Sequence, residues 1–247
     1  MSARLSSSLL IFLLASTLLL AQHPTLTVAA AADLSSLGPG LAAQFEKTNP
    51  IWVRFVNESS AMLSQQIENG APYDLFLSAN AEYVEKLAKE GKLLPDSVRI
   101  YAVGRVGLLW RDKKHHSLND LAENWVRFVA LPNPKLAPYG VAAQQALEHA
   151  GVWKMVHPKV VYGENVRQTL ELFDSGNADA VLTSGALLKG RDADVLPAEW
   201  HAPIVQKAGV VAASSNRDAA EKFLDFLVSP AGQDIFAQFG FGSPPKH

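Results

Sequence analysis

The chain has no cysteine in its 247 residues. Disulfides are therefore excluded. Neither sign of charge dominates, since 22 basic residues stand against 24 acidic ones and no like-charged run exceeds a few residues. That balance argues against a nucleic-acid partner. Also missing are a G-x-S-x-G elbow, a glycine-rich dinucleotide turn, a phosphate-cradling G-x-x-x-x-G-K loop and an H-E-x-x-H helix. Nothing in the pattern asks for an enzyme. The adjacent pair His115 and His116 sits among Lys113 and Lys114, and i, i+1 neighbours rarely ligate one ion together. It reads as a solvated loop.

What is present is a chain 48% hydrophobic with 14 prolines and 16 glycines, suited to one large globular unit or two modest lobes. Its first 21 residues stand apart. Arg4 is the only charge there, Leu9 to Leu20 is almost wholly apolar, and Ala21 precedes the polar Gln22-His23-Pro24. This outlines a secretory signal peptide at residues 1–21, too short in its core to span a bilayer comfortably. The expectation is a cleaved signal and a periplasmic protein, and no cysteine at the junction offers a lipid anchor. An uncleaved N-terminal anchor is the alternative.

From Thr25 onward strands and helices alternate. The run Leu26 to Ala31 reads as a strand buried on both faces of a parallel sheet. At Asp33 the chain turns into a helical start, which leaves N–H groups beyond the sheet's carboxyl edge. Strand Ile51 to Val56, the turn Asn57-Glu58-Ser59-Ser60 and the helix carrying Met62, Leu63 and Ile67 repeat the device. Further units run through Asn80, through the Pro138-Tyr139-Gly140 turn and through Glu164-Asn165-Val166. Ser97 to Trp110 reads as a first crossing between lobes, and Pro203 to Gly209 offers a second. Phe223, Phe226, Phe236 and Phe239 have the spacing of core residues. Small polar groups and N–H-rich turns at strand ends suit a compact oxyanion. Each hydrogen bond to a charged ligand contributes roughly 1.5 to 3 kcal/mol, so several such donors can replace a lysine or arginine.

The segments VAAAADL, SSAMLSQQIENGAPYDLFLSAN, ENVRQTL and SPAGQDIFAQFGF together resemble the periplasmic molybdate-binding proteins of ABC transporters. The similarity runs from about Leu26 to Phe241, and Leu63 to Ala79 is its most specific part. It implies an α/β, two-lobed periplasmic binding protein fold of type II, with a mostly parallel sheet in each lobe and a two-crossing hinge. Lobe 1 is expected over 24–104 plus 207–247 and lobe 2 over 105–206. The implied function is capture of molybdate or tungstate for an inner-membrane permease, by a monomer with no cofactor and no metal site apart from the oxyanion. Position by position, the resemblance assigns the Ser59 hydroxyl and N–H, and the N–H groups near Asp33, Ser60, Tyr139 and Val166, to the ligand. Thr183 stands where many members have a tyrosine hydroxyl and is a possible extra donor.

Asp33 departs further, because many members have serine there. A carboxylate about 4 Å from a dianion costs roughly 8 kcal/mol at an effective dielectric of 20. The expectation is that Asp33 turns away to cap its own helix. The alternatives are that it approaches the metal centre as an oxygen ligand, or that the cleft serves another small anion such as sulfate, a phosphonate or a carboxylate. Glu58, next to Ser59, is expected to be solvated. An enzyme or anchored sensor on the same fold is the remaining alternative.

Overall fold

The computed structural model describes residues 23–244, so the signal-peptide reading of residues 1–21 lies outside the described residues. The first part of the chain holds β1 (Thr25–Ala31), α1 (Gly38–Glu46), β2 (Trp52–Glu58), α2 (Ser60–Glu68), β3 (Leu75–Ser78), α3 (Ala81–Lys89) and β4 (Arg99–Gly104). The middle holds β5 (Val106–Trp110), β6 (Val129–Pro132), α4 (Pro138–His149), α5 (Trp153–Val156), β7 (Val160–Gly163), α6 (Val166–Asp174), β8 (Ala180–Ser184) and β9 (Asp194–Val195). The last part is β10 (Ile204–Val210), α7 (Arg217–Val228) and α8 (Pro230–Gln238).

The strands form two five-stranded sheets, ordered β2-β1-β3-β10-β4 and β7-β6-β8-β5-β9. In the first, β1 pairs parallel with β2 and β3 while β10 runs against β3 and β4. In the second, β6 pairs parallel with β7 and β8 while β5 runs against β8 and β9. Each sheet thus has one strand opposing the rest, and in each the opposing strand comes straight from the other half of the chain. The Ser97–Trp110 stretch is two strands in different sheets, with Arg105 alone between them. The return comes at β10, whose Ile204 pairs with Gly104.

Burial explains the strands. Every residue of β1 after Thr25 is buried, as are all of β3, β6 and β8, which is why they read as unbroken apolar runs. Helix starts follow their caps: Ser59 accepts from the Met62 N–H at 3.3 Å, Asn80 from Glu82 at 2.9 Å and Asn165 from Gln168 at 2.9 Å. Asn216 also stands at an N-cap, of α7, but its amide is turned to Asp74 instead. Beneath the first sheet, Phe45 meets Phe223 edge-on at 5.0 Å and Phe236 packs with them, with Phe226 and Phe239 at the margin. The C-terminal helices therefore belong with the first sheet. A separate apolar cluster fills the second half, and Ala31, Ala32 and Ala79 from the first sheet's edge join it beside Tyr139 and Val166. The two halves are closed on each other there.

Candidate functional site

Between the halves lies a very small cavity, about 10 Å³, walled by Ala31, Asp33, Ser59, Ser60, Tyr139 and Val166 among others. Pockets for drug-sized ligands run to roughly 300–1,000 Å³, whereas this one, with the halves closed, has room for about one water-sized group. Its walls are helix starts. Ser60 and Val166 are the first residues of α2 and α6, and Tyr139 is the second of α4, so their N–H groups have no partner inside their own helices. Because the Ser59 hydroxyl only accepts from Met62, its proton remains available to donate. Ser60 Oγ likewise accepts, from the Ala79 N–H at 3.0 Å. Gly140 lets α4 start this close to β6, because a Cβ there would run into the Pro132 carbonyl.

Asp33 does not cap a helix. The chain enters a short 3-10 turn at Ala32–Leu34 whose N-cap position is Ala31, so Asp33 falls inside the turn rather than ahead of it. Its side chain, 1% exposed, crosses to the other half of the molecule. Asp33 Oδ2 accepts from the Tyr139 hydroxyl at 2.8 Å and from Gln206 Nε2 at 2.5 Å. Burial pushes the Asp33 carboxyl above its usual range, and the Gln206 and Tyr139 hydrogen bonds pull it part of the way back. The same burial, together with the Asp33 charge, raises the Tyr139 and Tyr101 phenols well above theirs. Gln206 reaches Asp33 from opposite a bulge, where β4 carries the extra residue Tyr101 and the β10–β4 ladder slips by one residue after Gln206.

Thr183 stands apart from the donor set. It is fully buried in β8, it does not line the cavity, and its hydroxyl donates to the Val166 carbonyl at 2.9 Å. Glu58 is not simply solvated either: Oε1 accepts from the Ser59 N–H at 2.8 Å and from Asn165 Nδ2 at 2.6 Å.

The sequence matches the bacterial extracellular solute-binding protein family over residues 26–242. The chain belongs to that family. Among its relatives, this solute-binding protein is 32% identical to the molybdate-binding protein ModA of Azotobacter vinelandii, over 90% of this chain and 91% of that protein. It is 31% identical to ModA of Rhodobacter capsulatus, over 86% of each chain. The solved structure of the Azotobacter vinelandii periplasmic molybdate-binding protein superposes with a TM-score of 0.81, covering 89% of this chain and all of that one. The solute-binding protein is thus ModA-like, as the quoted segments implied, and a transport protein rather than an enzyme. Three of its polar residues near the cleft are missed in the sequence: Gln206, Asn165 as a donor, and Glu58 as an acceptor. For Gln206 a signal existed, since a lone amide shares the inward register of Ile204 and Ala208 in an otherwise apolar strand face.

Proposed function

We propose that this protein captures molybdate, and tungstate with it, between its two lobes and delivers it to an ABC permease in the inner membrane. What carries the reading is the cavity wall: the first turns of α2, α4 and α6, from both halves, converge on it, and neither lysine nor arginine lines it. A tetrahedral dianion needs donors on all sides, and helix starts provide them together with favourable dipoles. The ligands in this reading are the Ser59 hydroxyl and N–H, the N–H groups of Ser60, Tyr139 and Val166, and those beside Asp33. Thr183 is left out, because its proton is already engaged. The lobes are residues 24–104 with 207–247, and 105–206, closing on the anion and presenting the closed surface to the permease. The protein acts as a monomer, in the periplasm after removal of its signal peptide.

The decisive experiment is calorimetric titration of the mature protein with molybdate, tungstate and sulfate at neutral pH. The expected result is tight binding of the first two with sulfate silent. No heat with either would retire the assignment. One observation favours a second reading, a small monoanion such as a carboxylate or phosphonate: Asp33 and Glu58 both stand at the cleft, and a monoanion meets half the repulsion of a dianion. Competition by that class in the same titration would identify it.

A further inference from the structure

Glu58 is the last residue of β2, paired with Ala31 where the first sheet meets the cleft. Its carboxylate has no lysine or arginine partner among the described residues. Instead one oxygen, Oε1, takes two neutral donors: the Ser59 N–H at 2.8 Å from its own lobe and Asn165 Nδ2 at 2.6 Å from the other. The Asn165 amide is oriented for this, because its Oδ1 is held by the Gln168 N–H as the cap of α6. Neither helix needs the carboxylate as a cap, since α2 is already capped by the Ser59 hydroxyl. An oxygen gripped by an N–H at one helix start and an amide at another, across a cleft, is held as a bound anion is held.

We propose that Glu58 is a built-in anion of the binding site, which clasps the two lobes through Asn165 and competes with the incoming oxyanion for the Ser59 N–H. The inference rests on the oxyanion reading of the cavity and adds a residue that sets its affinity. Two effects of removing the carboxylate oppose each other. The lost clasp is a pair of hydrogen bonds that the ligand's own oxygens can replace. The lost repulsion is a full charge on the half-buried Glu58, which sits just behind the cavity wall against the lining residues Ser59 and Asn165, and because a dianion feels that charge twice over it is the larger effect. Glu58 thus keeps the empty-handed protein compact while holding affinity below what the donor set alone would give.

Glu58→Gln keeps an acceptor for both donors and removes the charge; Glu58→Ala removes both; Asn165→Ser keeps a cap and removes the amide donor. Calorimetry with molybdate and with tungstate is expected to show Glu58→Gln binding about tenfold tighter or more than the unaltered protein. Equal or weaker binding overturns the competition. Small-angle scattering of the anion-free proteins is expected to show a larger radius of gyration for Glu58→Ala and Asn165→Ser, with Glu58→Gln unchanged. Unchanged compactness in both opened variants overturns the clasp. Should neither the unaltered protein nor Glu58→Gln bind molybdate or tungstate, it is the oxyanion reading that fails and competition fails with it, while scattering still decides the clasp.

Discussion

The Tyr139 hydroxyl donates to Asp33 Oδ2 at 2.8 Å, joining the first turn of α4 to the short turn that follows β1 across the cleft. A residue that in isolation looks like a helix cap is instead the centre of a polar contact between lobes. Gln206 completes it from the strand that returns to the first sheet. Anything that alters the charge of Asp33 therefore acts on cleft geometry and on the ligand's surroundings together.

The first expectation concerns pH. The Asp33 carboxyl is raised in the folded protein, with burial the largest cause, so the native state keeps a proton over a range where the unfolded chain has lost it. Stability from this group is full below the ordinary carboxylate range and declines as pH rises through the raised value. Asp33→Asn mimics the neutral form and removes that decline. Thermal melts from pH 4 to 8 should show the variant matching the parent at the acid end and exceeding it at neutral pH. Parallel profiles would mean that Asp33 bears its charge at no cost.

Tyr139→Phe removes one of the two donors to Asp33 Oδ2. At neutral pH the loss should be about 1.5–3 kcal/mol, the range for hydrogen bonds to charged groups, measured by chemical denaturation. In an Asp33→Asn background the same change should cost only about 1 kcal/mol, since the bond is then neutral. The difference between the two is the coupling of the pair. Equal costs in both backgrounds would show that the hydroxyl does not sense the carboxyl.

Much of this architecture is legible in the chain, and what is not has a common cause. β1 reads correctly because burial on both faces writes an unbroken apolar run. Ser59, Asn80 and Asn165 each cap their helix by accepting from a backbone N–H two or three residues ahead, so the helix starts are written locally in the chain. The direction of Asp33 is hidden because its partners lie 106 and 173 residues away. Glu58 is hidden in the same way, since Asn165 is 107 residues distant and only folding turns the strand's end toward it. Thr183 is hidden for a related reason: a hydroxyl on a fully buried strand must find an acceptor, and folding supplies the Val166 carbonyl, 17 residues away, at 2.9 Å.

That satisfied hydroxyl separates two serine and threonine positions. Thr183→Val removes the hydroxyl that adds a second donor to the Val166 carbonyl, which also serves the first turn of α6, and should cost about 0.5–1.5 kcal/mol of stability. Anion affinity should hardly move, because the carbonyl belongs to the peptide unit after the one that carries the Val166 N–H. Ser59→Ala should do the reverse in emphasis, lowering affinity by about tenfold to a hundredfold through a lost hydroxyl donor. It should also cost about 0.5–2 kcal/mol as a lost cap. Calorimetry and denaturation on both variants test the contrast; a large affinity loss in Thr183→Val would return that residue to the donor set.

Gly104, the last residue of β4, is where the hydroxyl of Tyr139 finds room. A Cβ built there overlaps the Tyr139 hydroxyl and comes within 3.2 Å of Gln206 Nε2. Gly104→Ala should therefore push Tyr139 off Asp33 rather than simply stiffen the strand, at about 1–3 kcal/mol, the usual cost of overpacking. Removing the offending oxygen should relieve part of that, so Gly104→Ala with Tyr139→Phe should cost less than the two single changes added together. Strict additivity in denaturant titrations would place the strain elsewhere in β4. Sub-additivity would show that the absence of a side chain at Gly104 is what allows the Asp33–Tyr139 contact to form.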